Sequence, residues 1–316
     1  MPRFDELGDA ERAERKVRLA EKALRAYGLA GSLTLVAERT NLVYRLRCGG
    51  ASYAVRLSPP GRETPALERE LLWLAALGRE TELPIPEPLL TRSGELFHRV
   101  SMEGVPGTRA VAVLAWVEGE RREADLEAAD GLAAGRLAAA LHRHAEAFPL
   151  PEERAAVAGS YFERLEAARS ALDGALAEEK SRRLLENAAA YAARVARAVD
   201  VDSLDSGIVH GRLVLRRLRY GDEEVGALGF GECLIRSFAE DLAVLWADLG
   251  GRESTPQLRH ALLEGYRSTR ALSSSSEGSL SAFAALHAIE AAAGALPRGR
   301  TTSAAGAERA APRRGR

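Results

Sequence analysis

The sequence is poor in cysteine and lysine, and it lacks any long apolar run. Its two cysteines, Cys48 and Cys233, lie far apart and form no CxxC pair or metal-binding spacing. Unpaired cysteines favour a reducing compartment. No apolar segment approaches the roughly 20 residues that cross a bilayer, and the N-terminus is charged from Arg3 onward, unlike a secretory signal peptide. We therefore expect a cytoplasmic protein that does not contact a membrane.

A strong net charge is also lacking. The formal net charge of the 316 residues is −1, so no overall field draws the protein to nucleic acid. With 46% hydrophobic and 28% charged residues, the composition is typical of a globular protein with a well-filled core. The last segment, 297–316, departs from this composition because arginines stand there among small and polar residues. We expect this basic tail to be disordered.

Residues 1–118 have the pattern of a small sheet with two helices. Apolar residues recur at helical spacing over 9–28 and again over 66–77. Alternation of apolar and polar residues predicts strands at 33–36, 42–47, 52–57, 96–102 and 110–116. A Cys-Gly-Gly turn at 48–50 joins the second strand to the third, which indicates an antiparallel sheet.

The pattern changes after Gly119. Alanine- and leucine-rich helical segments follow, and a strand-rich segment interrupts them at 208–228. We therefore predict an α+β protein with an N-terminal lobe at 1–118, which holds the sheet, and a mainly helical C-terminal lobe at 119–296. A cleft between two such lobes is the natural ligand site.

Several segments in this order resemble the aminoglycoside phosphotransferase, choline kinase and type II homoserine kinase group. They are TNLVYRL (40–46), YAVRL (53–57), ERELLWLAAL (68–77), VLAWVEGE (113–120), AAALHRHAEAF (138–148) and IVHGRLVLRRLRYGDEEVGALGFGECLIRSFAEDLAVLW (208–246). The resemblance covers most of residues 25–295. It implies a bilobal protein-kinase-like fold, phosphoryl transfer from ATP to a small-molecule hydroxyl, and a catalytic-loop-like segment at 208–243.

The segment 208–246 departs from the family pattern where the chemistry requires acids. The Asp of the family's HGD motif accepts the proton of the substrate hydroxyl, and here that position is Arg212. The Asn that helps to hold a metal ion falls at Arg217, and the main metal ligand, an Asp, falls at Gly229. A guanidinium stays protonated, so Arg212 cannot act as a base. Glu232 is the one nearby carboxylate that could ligate a metal.

Positions that hold the scaffold are retained. His210 and Gly211 keep the opening of the loop, and Asp241 matches the residue that anchors this loop in the family. The resemblance therefore implies a kinase-like scaffold for ATP or another nucleotide. Its base and metal ligands are missing, so a magnesium site is in doubt.

The small lobe offers candidates for nucleotide binding. Arg56 stands at the third-strand position where kinases hold a phosphate-binding lysine, and Glu70 is its expected ion-pair partner. The alternative is a solvated arginine and an ordinary surface glutamate. The other candidates lie at the small-lobe turn and the hinge: Thr40, Asn41, Trp116 and Val117. No GxGxxG loop accompanies the turn residues, so a plain turn is the alternative there.

Four arginines cluster where the family has acids and amides: Arg212, Arg216, Arg217 and Arg219. One hypothesis is an anion pocket that holds a nucleotide without metal. The other is a set of partly solvated side chains that nearby glutamates balance. The residues alone do not choose between these two.

Three functions are consistent with these residues. The first is a pseudokinase that binds a nucleotide or small molecule in the inter-lobe cleft, or a protein partner. The second is an active phosphotransferase that uses displaced acids such as Glu232 or Asp222. The third is a decayed gene product without a selected role. Substrate choice in this fold would lie in the helical region 120–200, which carries no motif that names a ligand.

Overall fold

A five-stranded antiparallel sheet forms the first lobe. The computed structural model describes residues 4–61, 64–176, 178–222 and 224–296, so the basic tail at 297–316 lies outside the described residues. The strands are β1 (Ser32–Glu38), β2 (Leu42–Cys48), β3 (Ala51–Leu57), β4 (His98–Met102) and β5 (Val105–Ala115). Their order in the sheet is β1-β2-β3-β5-β4. The predicted strands and the antiparallel pairing are confirmed, although β5 begins at residue 105 instead of 110.

Two helices cover the two faces of this sheet. The first, α1 (Asp9–Leu24), buries Leu19 and Ala23 against Leu46 and Val55 of the strands. The second, α2 (Thr64–Glu80), covers the opposite face. Alternate side chains of a strand point to opposite faces, so a strand covered on both sides buries successive residues. Val111, Ala112, Val113 and Leu114 of β5 are all buried for this reason.

The second lobe is mainly helical. Its helices are α3 (Ala128–Ala147), α4 (Tyr161–Asp173), α5 (Glu179–Val199), α6 (Phe238–Asp248), α7 (Thr255–Arg267) and α8 (Ser274–Gly294). Two small sheets lie among them: β6 (Ser206–Val209) pairs with β9 (Leu234–Ser237), and β7 (Leu218–Tyr220) pairs with β8 (Val225–Ala227). β9 lies beyond the strand-rich segment that the sequence indicated. Within the described ranges, every helix is too short or too polar to cross a bilayer.

Helices α3 and α7 approach each other closely because glycines line their contact. A Cβ atom on Gly135 would lie 2.0 Å from the carbonyl oxygen of Leu262, and one on Gly265 would lie 2.0 Å from that of Leu132. Any larger residue would force the helices apart. Their contact brings His142 of α3 beside Tyr266 of α7, with 3.0 Å between His142 Nδ1 and the Tyr266 hydroxyl.

Helix α2 also packs on the second lobe and ties the lobes together. Its buried Trp73 meets the ring of Phe230 edge-on, with 5.4 Å between the ring centroids. Arg69 Nε donates a hydrogen bond of 2.8 Å to the carbonyl oxygen of Cys233. Glu68 pairs with Arg154 at 2.5 Å. The position of α2, and with it Glu70, is therefore set by the second lobe as well as by the sheet.

A buried carboxylate joins three elements of the second lobe. Glu240 of α6 accepts two hydrogen bonds of 2.8 Å from Arg164 of α4, and Arg236 contacts it at 2.5 Å. His287 Nε2 of α8 lies 3.0 Å from its Oε1. Burial would raise the pKa of Glu240, but His287, Arg164 and Arg236 outweigh burial and lower the pKa to about 2.

We expect this network to make the fold acid-sensitive. A carboxylate with a lowered pKa stabilises the folded state fully above its unfolded value of 4.5, and that stability is lost as the pH falls toward 2. The contribution lost should be about 3 kcal/mol. In urea unfolding between pH 3 and pH 7, Glu240→Gln should be less stable than the wild type at pH 7 and should depend less on pH.

The matched control is Glu277→Gln, which alters an exposed ion pair with Arg267. This change should cost less than about 1 kcal/mol. If the stability of Glu240→Gln fell with decreasing pH as steeply as that of the wild type, Glu240 would not be a source of the acid sensitivity.

Candidate nucleotide-binding cleft

A cavity of about 470 Å³ lies between the sheet and the second lobe. Val43 and Ala54 of the sheet line one side, Leu114 and Val117 line it at the end of β5, and Leu228 lines it from the second lobe. A largely apolar enclosure that carries a few polar groups is the usual form of a small-molecule site. Its charged lining residues are Arg56, Arg217, Arg219 and Glu232.

Most of the candidate residues from the sequence line this cavity. They are Thr40, Asn41, Arg56, Trp116, Val117, Arg217, Arg219, Gly229 and Glu232. Glu70 lies behind Arg56 and contacts it, while Arg212 and Arg216 are outside the lining. Contact of these residues with a nucleotide stays a prediction.

Arg56 and Glu70 form a buried, two-pronged ion pair. Arg56 Nη1 and Nη2 lie 2.5 and 2.9 Å from the two carboxylate oxygens of Glu70. The side chain of Glu70 is 1% exposed and that of Arg56 is 9% exposed. The expected pairing is therefore present, and the solvated alternative is wrong. The pair fixes one cation at the wall of the cleft, since both ends of the guanidinium fork are held.

The loop that begins at His210 is held by two carboxylates of α6. The Asp241 carboxylate accepts hydrogen bonds of 2.8 and 3.0 Å from the backbone N–H groups of His210 and Gly211. About two turns further along the helix, Asp248 Oδ2 accepts a hydrogen bond of 2.7 Å from the N–H of Leu215. Burial would raise the pKa of Asp241, but His142 and His210 outweigh burial and hold the pKa below its ordinary value. Asp241 therefore stays ionised as the acceptor that the loop requires.

Sequence reasoning did not identify two supporting residues of this loop. His142 Nε2 lies 3.5 Å from Asp241 Oδ2, within ion-pair reach, while its Nδ1 lies 3.0 Å from the Tyr266 hydroxyl. The spacing of Asp241 and Asp248, seven residues apart on one helix, is a signal that could have identified the second carboxylate, because such residues share a face. No comparable signal relates His142 to Asp241, which lies far along the chain.

The side chain of Arg217 lies between Gly229 and Glu232, where the sequence departs from the family pattern. Its Nη1 donates to the carbonyl oxygen of Gly229 at 2.8 Å, and its Nη2 donates to Glu232 Oε1 at 2.6 Å. Gly229 has a φ of 84°, and a Cβ atom there would lie 3.1 Å from Arg217 Nε. The missing side chain at 229 and the long side chain at 217 therefore complement each other in space.

Glu232 is shared between two guanidinium groups. Besides Arg217, Arg212 Nη1 lies 3.6 Å from the same Glu232 oxygen. Burial would raise the pKa of Glu232, but the hydrogen bond and charge of Arg217 and the charge of Arg212 lower it overall. Glu232 is therefore a carboxylate at neutral pH, and its charge is already compensated.

These residues do not fit a magnesium ion. Magnesium takes oxygen ligands in octahedral geometry, and the positions at Arg217 and Gly229 supply no side-chain oxygen. The remaining carboxylate, Glu232, is held by two cations. Across the part of the chain that the structure describes, no group of three or more His, Cys, Asp or Glu residues is arranged to hold a metal. The donor set in the cleft suits an anion.

Further arginines lie near this site, with Glu123 and Asp248 as nearby opposite charges. Burial and the charge of Arg121 lower the pKa of Arg219, whose Nη1 donates to the carbonyl oxygen of Leu218 at 2.7 Å. Burial and the charges of Arg212 and Arg217 lower the pKa of Arg216. Cations that repel one another in this way attract a counter-anion.

A comparison with protein-family models decides the family. The model of the phosphotransferase enzyme family matches residues 32–275, which is most of the chain. The chain belongs to this family. A comparison with curated proteins gives no match.

Solved structures of other phosphotransferases have the same fold. A microcompartment-associated aminopropanol kinase is 21% identical, with a TM-score of 0.69 over 89% of this chain and 91% of that one. The amicoumacin kinase hAmiN is 17% identical, with a TM-score of 0.68 over 90% and 85%. A choline/ethanolamine kinase family protein from Mesorhizobium loti is 14% identical, with a TM-score of 0.61 over 89% and 84%. These similarities establish the bilobal kinase-like fold of this family member.

Removing one partner of the buried Arg56–Glu70 pair should lower the free energy of unfolding strongly. Glu70→Ala should destabilise the protein by about 3–5 kcal/mol, because it leaves the buried Arg56 without its counter-charge. The double variant Arg56→Met/Glu70→Leu should recover most of this loss, since it removes both charges. Urea unfolding at pH 7 measures the free energy of unfolding of the wild type, Glu70→Ala and the double variant.

The control is Glu166→Ala, which removes an exposed partner of Arg169 and should cost less than about 1 kcal/mol. Equal stability of Glu70→Ala and Glu166→Ala would refute the structural importance of the buried pair.

Proposed function

We propose that this phosphotransferase family member is a pseudokinase. It binds a nucleotide, or a related phosphorylated small molecule, between its lobes without a metal ion and does not transfer phosphate at a useful rate. The observation that carries the proposal is the position of Arg217, whose guanidinium lies between Gly229 and Glu232 in the cleft. A permanently protonated group there attracts phosphate but repels a metal ion.

The missing groups account for a large loss of rate. Loss of a general base typically slows a reaction about 10²–10⁴-fold. Loss of the metal removes several kcal/mol of charge stabilisation, which is roughly another 10³-fold. A typical enzyme turns over about 10 times per second. Even if the two losses overlap in part, each turnover would then take minutes or longer.

Binding is supported by what persists in the cleft. The cavity keeps apolar walls from both lobes, and Arg56 is held in place by Glu70. Both Nη atoms of Arg56 bond to Glu70, so a phosphate oxygen would take the remaining N–H groups, among them that of Nε. Among proteins of the same fold, hAmiN has been solved with AMP-PNP, and a spectinomycin phosphotransferase has been solved with ADP. For this chain we propose ATP, ADP or a similar nucleotide as ligand, in the reducing cytoplasm that its two free cysteines suit.

The alternative of an active enzyme with displaced acids has less support. Glu232 would have to leave two guanidinium groups before it could accept a proton or hold a metal. Asp222 is exposed at the turn between β7 and β8, and it is not among the residues that line the cavity. The geometry therefore favours a binding role.

Nucleotide affinity should not require magnesium. We expect calorimetric titration with ATP to give a dissociation constant in EDTA that is equal to, or lower than, the constant in magnesium, because arginines replace the metal ligands. Arg56→Met should weaken binding about tenfold or more, as expected for loss of a charged hydrogen-bond donor. Arg267→Met, which alters an arginine outside the cavity lining, should bind like the wild type. Affinity that rises tenfold or more with magnesium would contradict the proposal.

Phosphate transfer should be absent from the wild type and should not return with one substitution. Gly229→Asp alone would push its Cβ against Arg217 at a φ that favours glycine. The triple variant Arg212→Asp, Arg217→Asn and Gly229→Asp restores base and ligands together, and we expect it to gain magnesium-dependent nucleotide binding. The assay follows release of ADP with aminoglycosides, choline or homoserine as acceptors. Robust wild-type turnover that disappears in Glu232→Gln would overturn the pseudokinase proposal.

A further inference from the structure

We propose that Glu232 is an internal counter-anion, and that the terminal phosphate of the ligand takes its place at Arg217 and Arg212. This inference rests on the proposed function and goes further, because it assigns a role to one residue and selects the class of ligand. The class is a molecule that ends in a phosphate of at least two negative charges, such as a diphosphate.

The guanidinium of Arg217 is fixed by hydrogen bonds to the backbone, whereas the carboxylate of Glu232 is held through only one of its oxygens. Arg217 Nη1 is anchored on backbone carbonyl oxygens, at 2.8 Å from that of Gly229 and 3.4 Å from that of Arg212. Both ion-pair contacts of Glu232 run through one oxygen, Oε1. The side chain of Glu232 is 47% exposed and that of Arg217 is 19% exposed. If the two separate, the glutamate can move into solvent while the arginine stays in the cleft.

The exchange site faces the cavity that would hold the ligand. Arg217, Gly229 and Glu232 all line it, together with Arg56 from the opposite lobe. Because residue 229 has no side chain, the guanidinium of Arg217 lies directly over the backbone there. A phosphate that took over the hydrogen bond of Arg217 Nη2 would occupy the place of the Glu232 carboxylate.

Charge arithmetic makes the exchange selective. The three residues in ion-pair contact, Arg212, Arg217 and Glu232, carry a net charge of +1, and Arg219 adds a further positive charge to the cavity lining. A phosphate dianion that displaced Glu232 would balance the two guanidinium groups that now share it. A monoanion that displaced Glu232 only repeats the charge that was already there. The glutamate therefore opposes weakly charged ligands and yields to a dianionic phosphate, which also offers three acceptor oxygens to the two guanidinium groups.

The test is calorimetric titration of the full chain with inorganic pyrophosphate in EDTA at constant ionic strength. Glu232→Gln should bind pyrophosphate about tenfold more tightly than the wild type, because the competing charge is gone. Glu232→Ala should behave in the same way, which guards against a local packing fault in the glutamine variant. Arg217→Gln should lose about tenfold or more, since it removes the receiving cation.

The matched control is Glu118→Gln. Glu118 is 74% exposed and pairs with Arg45 at 3.2 Å, so the substitution makes the same change in net charge without touching Arg217. Pyrophosphate affinity in this variant should change less than about twofold, because an exposed charge is screened. Equal effects of Glu118→Gln and Glu232→Gln would mean that only net charge matters, and would overturn the exchange.

The outcomes separate this inference from the proposed function. If the wild type binds ATP but both Glu232 variants bind pyrophosphate no more tightly than the wild type, the exchange is wrong and the proposed function stands. If the variants bind pyrophosphate more tightly but no protein binds ATP, the exchange stands and the nucleotide assignment is wrong. No pyrophosphate binding by either Glu232 variant also overturns the exchange.

Discussion

The buried carboxylate of Asp241 is the constraint on which the altered site depends. It accepts two consecutive backbone N–H groups, from His210 and Gly211, and thereby fixes the direction in which the loop leaves β6. Gly211 has a φ of 80°, and a Cβ atom there would lie 2.2 Å from the carbonyl oxygen of Glu232. The loop is therefore pressed against the segment that carries Glu232. Arg217 and Glu232 can meet because this contact brings their backbones together.

The kinase-like scaffold holds a cluster of opposite charges at the cleft. Two guanidinium groups surround one carboxylate there, where the sequence resemblance leads us to expect acids around a metal ion. Arg217 lies over Gly229, in space that a larger side chain would need, and bonds to its carbonyl oxygen. A polar group that is buried with its hydrogen bonds satisfied is tolerated, whereas an unpaired one is not.

Helix α2 links the small lobe to this site. Glu70 holds Arg56 on the side of the sheet, and three residues further along the helix Trp73 packs on Phe230, the residue that follows Gly229. Arg69, which precedes Glu70, bonds to the backbone of Cys233, next to Glu232. Arg56 and Arg217, which line the cleft from opposite lobes, are thus positioned by one continuous set of contacts. Such a set can fix the spacing that a phosphate chain requires.

The sequence by itself predicted the local structure and the positions at which the family pattern is broken. Alternation and helical spacing predict β1 to β5 and the helices because these patterns are carried by residues close together in the chain. The matches at Arg212, Arg217 and Gly229 predict that acids of the family are missing there, and the spacing of Arg56 and Glu70 predicts their pairing. Only the tertiary structure decided that Arg217 bonds to Glu232, that His142 supports Asp241 and that Trp73 meets Phe230. These contacts join residues of different elements through side-chain conformations that packing selects, and no local pattern encodes them.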